Sequence, residues 1–538
     1  MGGIKEVRTL KELVQYGAAQ YGEHIAFQYK KKKENVEISY QDFYQDINAL
    51  GSYLYNSNIK QKKVAIIGEN SYQWLVTFFA VANSSNIAVP MDKELDAVTL
   101  SSLVKKCDCK IIMYSKGYKN IIRKIMELDE HAVEEYICLS HLDDYMEQGN
   151  ELIQQGYKGY LEEEVREDDL AAVYFTSGTT GDIKGVQLSH QNLCADLYGA
   201  AKRVQPKKNI MLVLPLNHTF SLTASVLSVL IGGKTIYICS GIKNFFRDLH
   251  EVKPSGLVVV PLFVETLYKR IFETIHEEGK IKQYHWLCKC NSIFMKLKID
   301  KRRKLFHSII DSLGGELEFI VSGGAPLQET LIDEFGQWGI EIYNGYGITE
   351  CSPIIAVNNK EMRRAGSVGK PLEGVHVKID KPDKEGIGEI CVSGKTVMQK
   401  YYNDESLTKQ AIQDGWYHTG DKGYLDSEGY LYITGRIKNL IILTNGENIS
   451  PEVLENKIKK FKLVEEVLVY GKEDKIIAEI FPDKEYAARH KIMFIEEELK
   501  LYITKLNQVL PVCQRIKQVI IRENEFEKNT NKKIIRKH

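Results

Sequence analysis

The chain has 538 residues, of which 43% are hydrophobic and 27% are charged. This composition is typical of globular proteins, and the length predicts two or more domains. The 72 basic and 72 acidic residues give a formal net charge of zero, which excludes a chain-wide positive field for nucleic acid.

We expect neither a secretory signal nor a transmembrane segment. The opening sequence MGGIKEVRTLKELV lacks the apolar core of a signal peptide. Two uncharged stretches, 70–91 and 209–233, reach membrane-spanning length, but both contain internal polar residues, which favours buried strand–helix units. The ten cysteines include no CxxC pair, which gives little support to a zinc or redox site. Many scattered cysteines in a chain of this size indicate a reducing compartment, and we expect a cytoplasmic protein.

Short apolar runs alternate with amphipathic segments through the first 370 residues or so. The strand-like runs are VAII at 64–67, IAVP at 87–90, KIIMY at 110–114, LVLP at 212–215, TIYIC at 235–239, LVVVP at 257–261 and EFIVS at 318–322. Strands alternating with helices predict parallel α/β layers, and continuous apolar strands are typical of sheets covered on both faces. The predicted fold class is therefore α/β, with a large N-terminal domain of layered sheets.

A further short apolar strand is predicted at 171–175, and it leads directly into a loop of small and hydroxyl residues within YFTSGTTGDIKG at 174–185. Its glycines let the backbone approach a ligand, its hydroxyls donate hydrogen bonds and its lysine adds a positive charge. Such a loop suits a polyphosphate, although it lacks the Walker A spacing. The residues concerned are Ser177, Gly178, Thr179, Thr180, Gly181 and Lys184.

The pattern changes after about residue 370. Shorter runs separated by glycine turns, HVKID, GEICVSG and GYLDSEGYLYITG, predict a small β-rich subdomain. From about 439 the runs LIILTNG, EVLVYG and KIIAEIF with helices at 451–460 and 494–509 predict a compact α+β unit. We place the domain boundary in GRIKN at 435–439, which gives domains of 1–435 and 436–538.

Further motifs follow the loop in a fixed order: SGGAP at 322–326, YGITE at 346–350, YHTGD at 417–421, GRIKN at 435–439 and KNTNKKIIR at 528–536. Together with the loop, they resemble the adenylate-forming superfamily of acyl-CoA synthetases, peptide-synthetase adenylation domains and firefly luciferase. The resemblance covers nearly the whole chain and is nearest to fatty acyl-CoA synthetases. It implies a small, mobile C-terminal domain.

The resemblance implies that the 177–184 loop holds the β- and γ-phosphates of ATP. The family often has proline before the loop lysine, where this chain has Ile183. Glu350 would hold Mg²⁺ together with Thr179, because hard cations prefer oxygen ligands. Thr349 would contact the α-phosphate. From the residues alone, YGITE could equally be a glycine turn before an ordinary helix start.

The nucleoside would lie between two further motifs. The resemblance implies that Tyr346 stacks on adenine. The backbone of Gly323, Gly324 and Ala325 and the side-chain amide of Asn344 would complete the adenine site. Asp421 and Arg436 would bind the ribose hydroxyls. A strand-end aspartate in a turn is the alternative for Asp421.

The C-terminal segment would supply the lysine of the adenylation step. By resemblance this is Lys533, although the family usually has glycine where this chain has Lys532. A solvated basic tail is the alternative, since blocks of like charge are commonly solvated. Lys438 takes the position of the family hinge, and Gly446 would leave room for a pantetheine arm.

The acid and its acceptor are less closely defined. The sequence NHTF at 217–220 matches the family position where histidine and an aromatic residue border the acyl pocket, which implies a role for His218. No aspartate occurs between 210 and 230, which disfavours an α-amino acid, and 313–327 resembles medium- and long-chain acyl-CoA synthetases. The acceptor is coenzyme A or the phosphopantetheine of an acidic acyl or peptidyl carrier protein.

Two other classes of function stay open. A nucleotide-binding relative without turnover is suggested by Ile183 and Lys532, and a luciferase-like oxygenase by the superfamily. Two basic stretches, 30–33 and 296–304, could dock an acidic partner or a membrane, but we expect solvated surface at both.

Overall fold

The structure is a computed structural model that describes residues 4–32, 34–128, 133–177, 183–442, 448–472, 475–528 and 534–536. For Ser177, Ile442 and Asn448 it describes the backbone only. The chain divides into two compact units: the first comprises Met1–Val377 and Val392–Tyr417, and the second Lys378–Cys391 and His418–His538. Across the described ranges, no helix is long and apolar enough to cross a membrane.

The larger sheet of the first unit has a parallel centre and antiparallel ends. Its strands in spatial order are Lys370–Pro371, Ile354–Val357, Glu341–Gly347, Phe319–Ser322, Gly256–Val259, Asn209–Leu212, Thr235–Ile238, Ile25–Lys31 and Glu34–Ser39. The carboxyl ends of its parallel strands lie along one edge, where ligands of α/β proteins bind.

The second sheet of this unit carries the polyphosphate loop. Its strands in spatial order are Lys400–Tyr401, Ile183–Ser189, Leu170–Ser177, Ile87–Met91, Lys63–Ile67, Cys109–Tyr114 and Glu135–Cys138. The strand Lys63–Ile67 is buried from Val64 to Ile67, as expected for a strand covered on both faces. Parallel strands connected by helices form the layered α/β architecture that the alternating sequence pattern predicts.

Helices cover both sheets, and their starts follow from the local sequence. Ser39 and Asp42 form a capping box before Tyr40–Asn56, as do Ser189 and Asn192 before His190–Arg203. The remaining helices of the unit are Leu10–Tyr21, Tyr72–Ala82, Ala97–Cys107, Lys119–Glu127, Leu142–Gln154, Thr219–Leu222, Ser228–Leu230, Phe245–Val252, Pro261–Glu277, Ile281–Lys296, Arg302–Leu305, His307–Ser312, Glu329–Trp338 and Glu405–Ala411.

The second unit begins with a twisted antiparallel sheet. Its strands are His376–Asp380, Gly388–Ser393, Trp416–Leu425 and Leu431–Arg436, with the short strand Ile412–Gln413 also pairing with Trp416–Leu425. Ile412–Gln413 and the terminal residues His376–Val377, Val392–Ser393 and Trp416–Tyr417 of three other strands belong to the first unit. The sheet confirms the small β-rich subdomain predicted after residue 370.

A compact α+β segment follows. The strands Val464–Lys472, Lys475–Pro482 and Ile516–Ile521 form one sheet, and Ile441–Ile442 pairs with Asn448–Ile449. The helices are Pro451–Ile458, Lys484–Arg489 and Ile495–Val509, and they bury a continuous apolar cluster against the sheet. The predicted fold class is confirmed, whereas the boundary between 435 and 436 stays a prediction.

Candidate active site

The polyphosphate loop connects two antiparallel strands. Thr176 pairs with Lys184 and Ser177 with Ile183, so the strands Leu170–Ser177 and Ile183–Ser189 run together up to the loop. The predicted phosphate ligands between them lie outside the described residues: Gly178, Thr179, Thr180 and Gly181. The side chain of Ser177 is also outside them. The register nevertheless fixes where the loop begins and ends, and it fixes Lys184 at its exit.

Lys184 and Glu350 come together around one tyrosine. The Lys184 Nζ atom lies 5.3 Å from the centre of the Tyr401 ring. The Tyr401 hydroxyl donates to Glu350 Oε1 at 2.8 Å and lies 3.1 Å from the Tyr417 hydroxyl. A loop lysine and a motif carboxylate that are 166 positions apart in sequence thus share one partner. A cation and a carboxylate that both contact one phenol are groups suited to a charged ligand.

Local backbone pairing holds this cluster in place. Tyr401 pairs with Val186 in the strand that leaves the loop. Glu350 lies in a short 3₁₀ turn, Thr349–Cys351, and its carbonyl accepts the N–H of Met398 at 2.8 Å. Burial, and after it the charge of Glu350, raises the pKa of Tyr401, so its phenol stays protonated and keeps donating to the carboxylate.

The Glu350 carboxylate has the chemistry that a magnesium ion requires. A carboxylate offers about four lone pairs, and the described contacts of Glu350 use one of its oxygens for the Tyr401 hydroxyl. Mg²⁺ binds one or two carboxylates together with substrate phosphates and keeps several waters. Glu350 therefore fits the ion, with Thr349 beside it, while Thr179 lies outside the described residues.

The candidate adenine site lies at the carboxyl edge of the larger sheet. Ser322 pairs with Asn344, which places Gly323, Gly324 and Ala325 next to the strand that carries Tyr346. The side-chain oxygen of Asn344 is buried and accepts no hydrogen bond from any described residue. An unsatisfied buried acceptor is unusual, and a ligand amino group such as that of adenine would satisfy it.

His218 borders the same edge. It precedes the helix Thr219–Leu222, is partly exposed, and its carbonyl accepts the N–H of Leu222 at 3.2 Å. Two residues further on, the Phe220 ring packs on Gly323 so closely that a Cβ at Gly323 would lie 2.9 Å from it. The NHTF and SGGAP motifs are therefore adjacent. The turn that follows, Thr223–Leu227, is π-helical, a form that often occurs at functional sites.

In the second unit, Asp421 and Arg436 form a pair. They face each other in neighbouring antiparallel strands, and Arg436 Nε lies 2.9 Å from Asp421 Oδ1. Asp421 is 3% exposed, and the arginine side chain is 42% exposed. The two predicted ribose ligands, separated by 15 positions in sequence, are thus brought together by the strand register. Lys438 follows in the turn Ile437–Asn439.

Glu389 holds the turn that precedes Asp421. Its Oε1 atom accepts the Gly420 N–H at 3.0 Å, and its Oε2 atom lies 2.9 Å from His418 Nδ1. Cys391 Sγ lies 3.4 Å from the same nitrogen, so Glu389, Cys391 and His418 offer ligand atoms within 4.8 Å of one another. Burial, and then Glu389, raises the pKa of the Cys391 thiol to about 12. These contacts hold the three side chains together beside the turn.

The residues on either side of Lys533 are anchored. Lys528 and Ile534 form a β-bridge, and Ile534 packs against an apolar cluster with Phe526. Arg536 donates to both carboxylate oxygens of Glu455, at 2.8 and 2.7 Å, and to the Val469 carbonyl at 3.1 Å. Lys533 itself lies outside the described residues, as does Gly446. The described flanks of the lysine motif are nevertheless fastened to the second unit.

Comparison with known families decides between the interpretations of these motifs. The model of the AMP-binding enzyme family matches residues 14–402, and that of the AMP-binding enzyme C-terminal domain matches residues 438–538. The chain belongs to the AMP-binding enzyme family. This confirms the predicted adenylate-forming superfamily.

Individual relatives of this AMP-binding enzyme agree with the assignment. Long-chain-fatty-acid–CoA ligase 6 of Mus musculus is 27% identical over 519 residues, which cover 89% of this chain and 74% of that protein. A fatty acyl CoA synthetase structure from Mycobacterium tuberculosis has a TM-score of 0.69 at 22% identity, covering 98% and 96% of the two chains. The o-succinylbenzoate coenzyme A synthetase of Bacillus subtilis, in complex with ATP and magnesium ion, has a TM-score of 0.75 at 22% identity, covering 97% and 98%.

Sequence reasoning missed several supporting residues of the AMP-binding enzyme. Tyr401 and Glu389 stand outside the ordered motifs, and Tyr417 is the first residue of YHTGD but has no role in the sequence-based assignment. Asn70 contacts the segment that precedes the NHTF motif. Its Nδ2 atom donates to the Leu214 carbonyl at 2.8 Å, and its Oδ1 atom accepts from the Leu216 N–H at 3.0 Å. Only tertiary pairing brings these residues to the site, so the sequence carries no local signal for them.

Proposed function

We propose that this AMP-binding enzyme activates a medium- or long-chain fatty acid with MgATP and transfers the acyl group to coenzyme A. The observation that carries the proposal is the Lys184–Tyr401–Glu350 cluster, which joins the polyphosphate loop to the YGITE motif. The names of the relatives, long-chain-fatty-acid–CoA ligases and a fatty acyl CoA synthetase, support the acid and the acceptor.

The first half-reaction forms an acyl-adenylate. The fatty-acid carboxylate attacks the α-phosphorus of ATP, the bond to the bridging oxygen breaks, and pyrophosphate leaves with its electron pair. Lys184 would offset the negative charge of the phosphates at the exit of the loop, and Asn344 Oδ1 would accept a hydrogen bond from the adenine amino group. Glu350 would hold Mg²⁺, which neutralises the triphosphate and orients it. Lys533 would stabilise the charge that develops between carboxylate and α-phosphate.

The second half-reaction forms the thioester. The thiolate of the acceptor attacks the acyl carbonyl carbon, the mixed anhydride breaks, and AMP leaves. We propose that Asp421 and Arg436 hold the ribose hydroxyls through both steps, since a carboxylate that accepts from vicinal hydroxyls is a recurring solution. His218 and Phe220 would border the acyl chain, Lys438 would act as the hinge, and Gly446 would leave space for pantetheine.

The compartment is part of the same proposal. None of the ten cysteines forms a disulfide in the structure, and Cys107, Cys194 and Cys351 are buried. Cysteines in this number without disulfides support a reducing compartment, and we propose the cytoplasm.

The test is acid-dependent release of pyrophosphate with MgATP across fatty, aryl and amino acids, with and without coenzyme A. We expect release with fatty acids of medium or long chain, and an acyl-CoA product when coenzyme A is added. Release without any acyl-CoA would point to the phosphopantetheine of a carrier protein as the acceptor. ATP binding without release for any acid would contradict the proposal and favour a relative without turnover.

A further inference from the structure

The helix Ile281–Lys296 exposes large apolar side chains as well as polar ones. Its inner side meets the protein core through Tyr284 and Asn291, which are buried. Trp286, at 61% exposure, and Ile293, at 60%, project from the opposite side. Residues seven apart share a helix face, so the outward face of this helix presents apolar groups where polar ones are normal.

Further apolar side chains are exposed at the end of the helix and just after it. Met295 in the last helical turn is 45% exposed, and Leu297 and Ile299, which follow the helix, are 63% and 43% exposed. We call the five exposed side chains of this region the apolar patch: Trp286, Ile293, Met295, Leu297 and Ile299. Scattered exposed apolar residues are ordinary, whereas a contiguous group indicates an interaction site.

Lysines surround the apolar patch. Residues 280–304 contain nine Lys or Arg residues and one Asp, which gives a formal charge of +9 − 1 = +8 in a chain whose total is zero. Lys282, Lys289 and Lys296 repeat every seven residues along one flank of the helix. No carboxylate in the described part of the chain forms an ion pair with these three or with Lys298.

Some charges in the segment are already neutralised. Arg302 pairs with Asp300 at 2.9 Å and with Glu341 at 3.1 Å, and Lys280 pairs with Glu278 at 2.7 Å. Lys301 lies 5.2 Å from the centre of the Phe294 ring. The uncompensated positive charge therefore lies at 282–298, beside the apolar patch. The acidic partners, Glu278, Asp300 and Glu341, lie outside that range.

We propose that the apolar patch and its lysines dock this protein on the surface of an anionic lipid bilayer. Aromatic and aliphatic side chains that enter the headgroup region, flanked by lysines that attract anionic lipids, are the arrangement that binds a helix in the plane of a membrane. A second copy of the chain is a poorer occupant, because a two-fold interface would place one +8 segment against another. Docking would use part of 296–304, where the sequence alone predicts ordinary solvated surface.

Docking would place the enzyme where a long-chain acid is concentrated, because such acids partition into bilayers. The docking itself does not rest on the proposed substrate, since vesicle binding is measured without ATP or acid. A failure of docking and a failure of the proposed function are therefore separate results.

The experiment measures co-sedimentation of the full chain with phosphatidylcholine vesicles that contain 30% phosphatidylglycerol, at 0.05 and 0.5 M salt. We expect partitioning at low salt at least tenfold above that on pure phosphatidylcholine, and a strong decrease at high salt. Quenching by brominated lipid reports insertion, because Trp74 and Trp338 are buried while Trp286 is exposed. We expect Trp286→Phe to abolish most of that quenching.

Matched variants separate local from overall charge. The triple variant Lys289→Gln/Lys296→Gln/Lys298→Gln should weaken partitioning by roughly fivefold per lysine. A control that removes the same charge from exposed lysines elsewhere in the first unit, at Lys116, Lys158 and Lys409, should retain at least half of the binding. The variant Trp286→Ser/Ile293→Ser/Leu297→Ser should lose both quenching and salt-resistant binding. Near-ultraviolet circular dichroism checks that each variant is folded.

Three outcomes would overturn the proposal. These are no sedimentation with anionic vesicles at 0.05 M salt, equal loss in both lysine variants, and wild-type binding by the apolar-patch variant. If the protein instead forms a dimer that Trp286→Ser abolishes, the occupant of the patch is a second copy and the membrane assignment is wrong.

Discussion

Arg536 is the residue through which the lysine motif can be tested without touching Lys533. Its guanidinium donates two charge-assisted hydrogen bonds to Glu455 and one to the Val469 carbonyl. The side chains are 25% and 12% exposed, so the pair is largely shielded from water. Burial raises the pKa of Glu455 and the Arg536 guanidinium opposes that rise, so loss of the arginine leaves a carboxylate with little compensation.

The expected cost of Arg536→Ala is about 3 kcal/mol, the lower end of the range for breaking a buried ion pair, because the pair is not fully enclosed. The double variant Arg536→Ala/Glu455→Gln removes the stranded charge and keeps an acceptor for the Val469 N–H, so we expect it to recover about half of that loss. Arg489→Ala, which removes an exposed ion pair with Glu485, should cost about 0.5 kcal/mol or less.

Hydrogen exchange is the appropriate stability assay, because none of the four tryptophans lies in the α+β segment that contains Glu455 and Arg536. A loss of about 3 kcal/mol corresponds to a decrease of roughly 150-fold in amide protection. We expect that decrease in the strands Val464–Lys472 and Lys475–Pro482. Acid-dependent pyrophosphate release should fall at least tenfold in both Arg536 variants, while thioester formation from supplied acyl-adenylate is largely retained.

Either of two results would refute this reasoning. Unchanged adenylation in Arg536→Ala, alongside strong loss in Lys533→Ala, would mean that the anchor does not position the lysine. Full recovery of adenylation in the double variant would mean that the stranded Glu455 charge, and not the missing anchor, caused the defect.

Four further predictions concern the first unit. Glu350→Gln should raise the Mg²⁺ concentration needed for half-maximal pyrophosphate release at least tenfold, and an unchanged metal titration would remove Glu350 from the site. Tyr401→Phe should lower kcat/KM about tenfold, because it removes a hydrogen bond to the charged Glu350 carboxylate. The control is Tyr402→Phe, which removes a hydrogen bond from the Tyr402 hydroxyl to a backbone carbonyl and should change kcat/KM less than twofold. Asn344→Ala should raise the KM for ATP and abolish most of the preference for ATP over ITP, which lacks the amino group; a retained preference would contradict the adenine assignment. Burial lowers the pKa of His190 from 6.5 to about 4, so between these pH values the unfolded chain binds a proton that the folded chain does not. The free energy of unfolding should therefore be complete above pH 6.5 and fall by up to about 3 kcal/mol towards pH 4. In thermal unfolding, His190→Asn should reduce this dependence of stability on pH.

The ordered motifs predicted the family, the layered α/β fold and the pairs of residues that lie close together. Lys184 and Glu350 were both singled out, and so were Asp421 and Arg436, because each stands in a short signature of distinctive residue types. The roles of these residues stay predictions. The loop 178–181, Gly446 and Lys533 lie outside the described residues, so their placement stays a prediction as well.

What the sequence could not provide is the connection between the motifs. Tyr401 joins Lys184 to Glu350 only because the strand Lys400–Tyr401 pairs with Ile183–Ser189, a register set by contacts between distant segments. Glu389 lies two residues before a buried cysteine in an ordinary strand, and nothing local shows that its carboxylate holds the turn before Asp421. The apolar patch escaped notice because helical periodicity shows that a face is apolar, not whether the protein covers it.

The interrupted course of the first unit has a consequence for its synthesis on the ribosome. The strand Lys400–Tyr401, with Gln399 and Tyr402 on either side of it, pairs with Ile183–Ser189, yet it is made after the inserted segment Lys378–Cys391 of the second unit. At about 5–20 residues per second, roughly 2–8 s separate completion of Val377 from completion of Tyr417. During that interval Ile183–Ser189 is an open sheet edge on the nascent chain, and such edges recruit foreign strands. A ribosome that pauses during this interval would therefore carry an aggregation-prone intermediate. That intermediate would still lack Tyr401, the residue that contacts both Lys184 and Glu350.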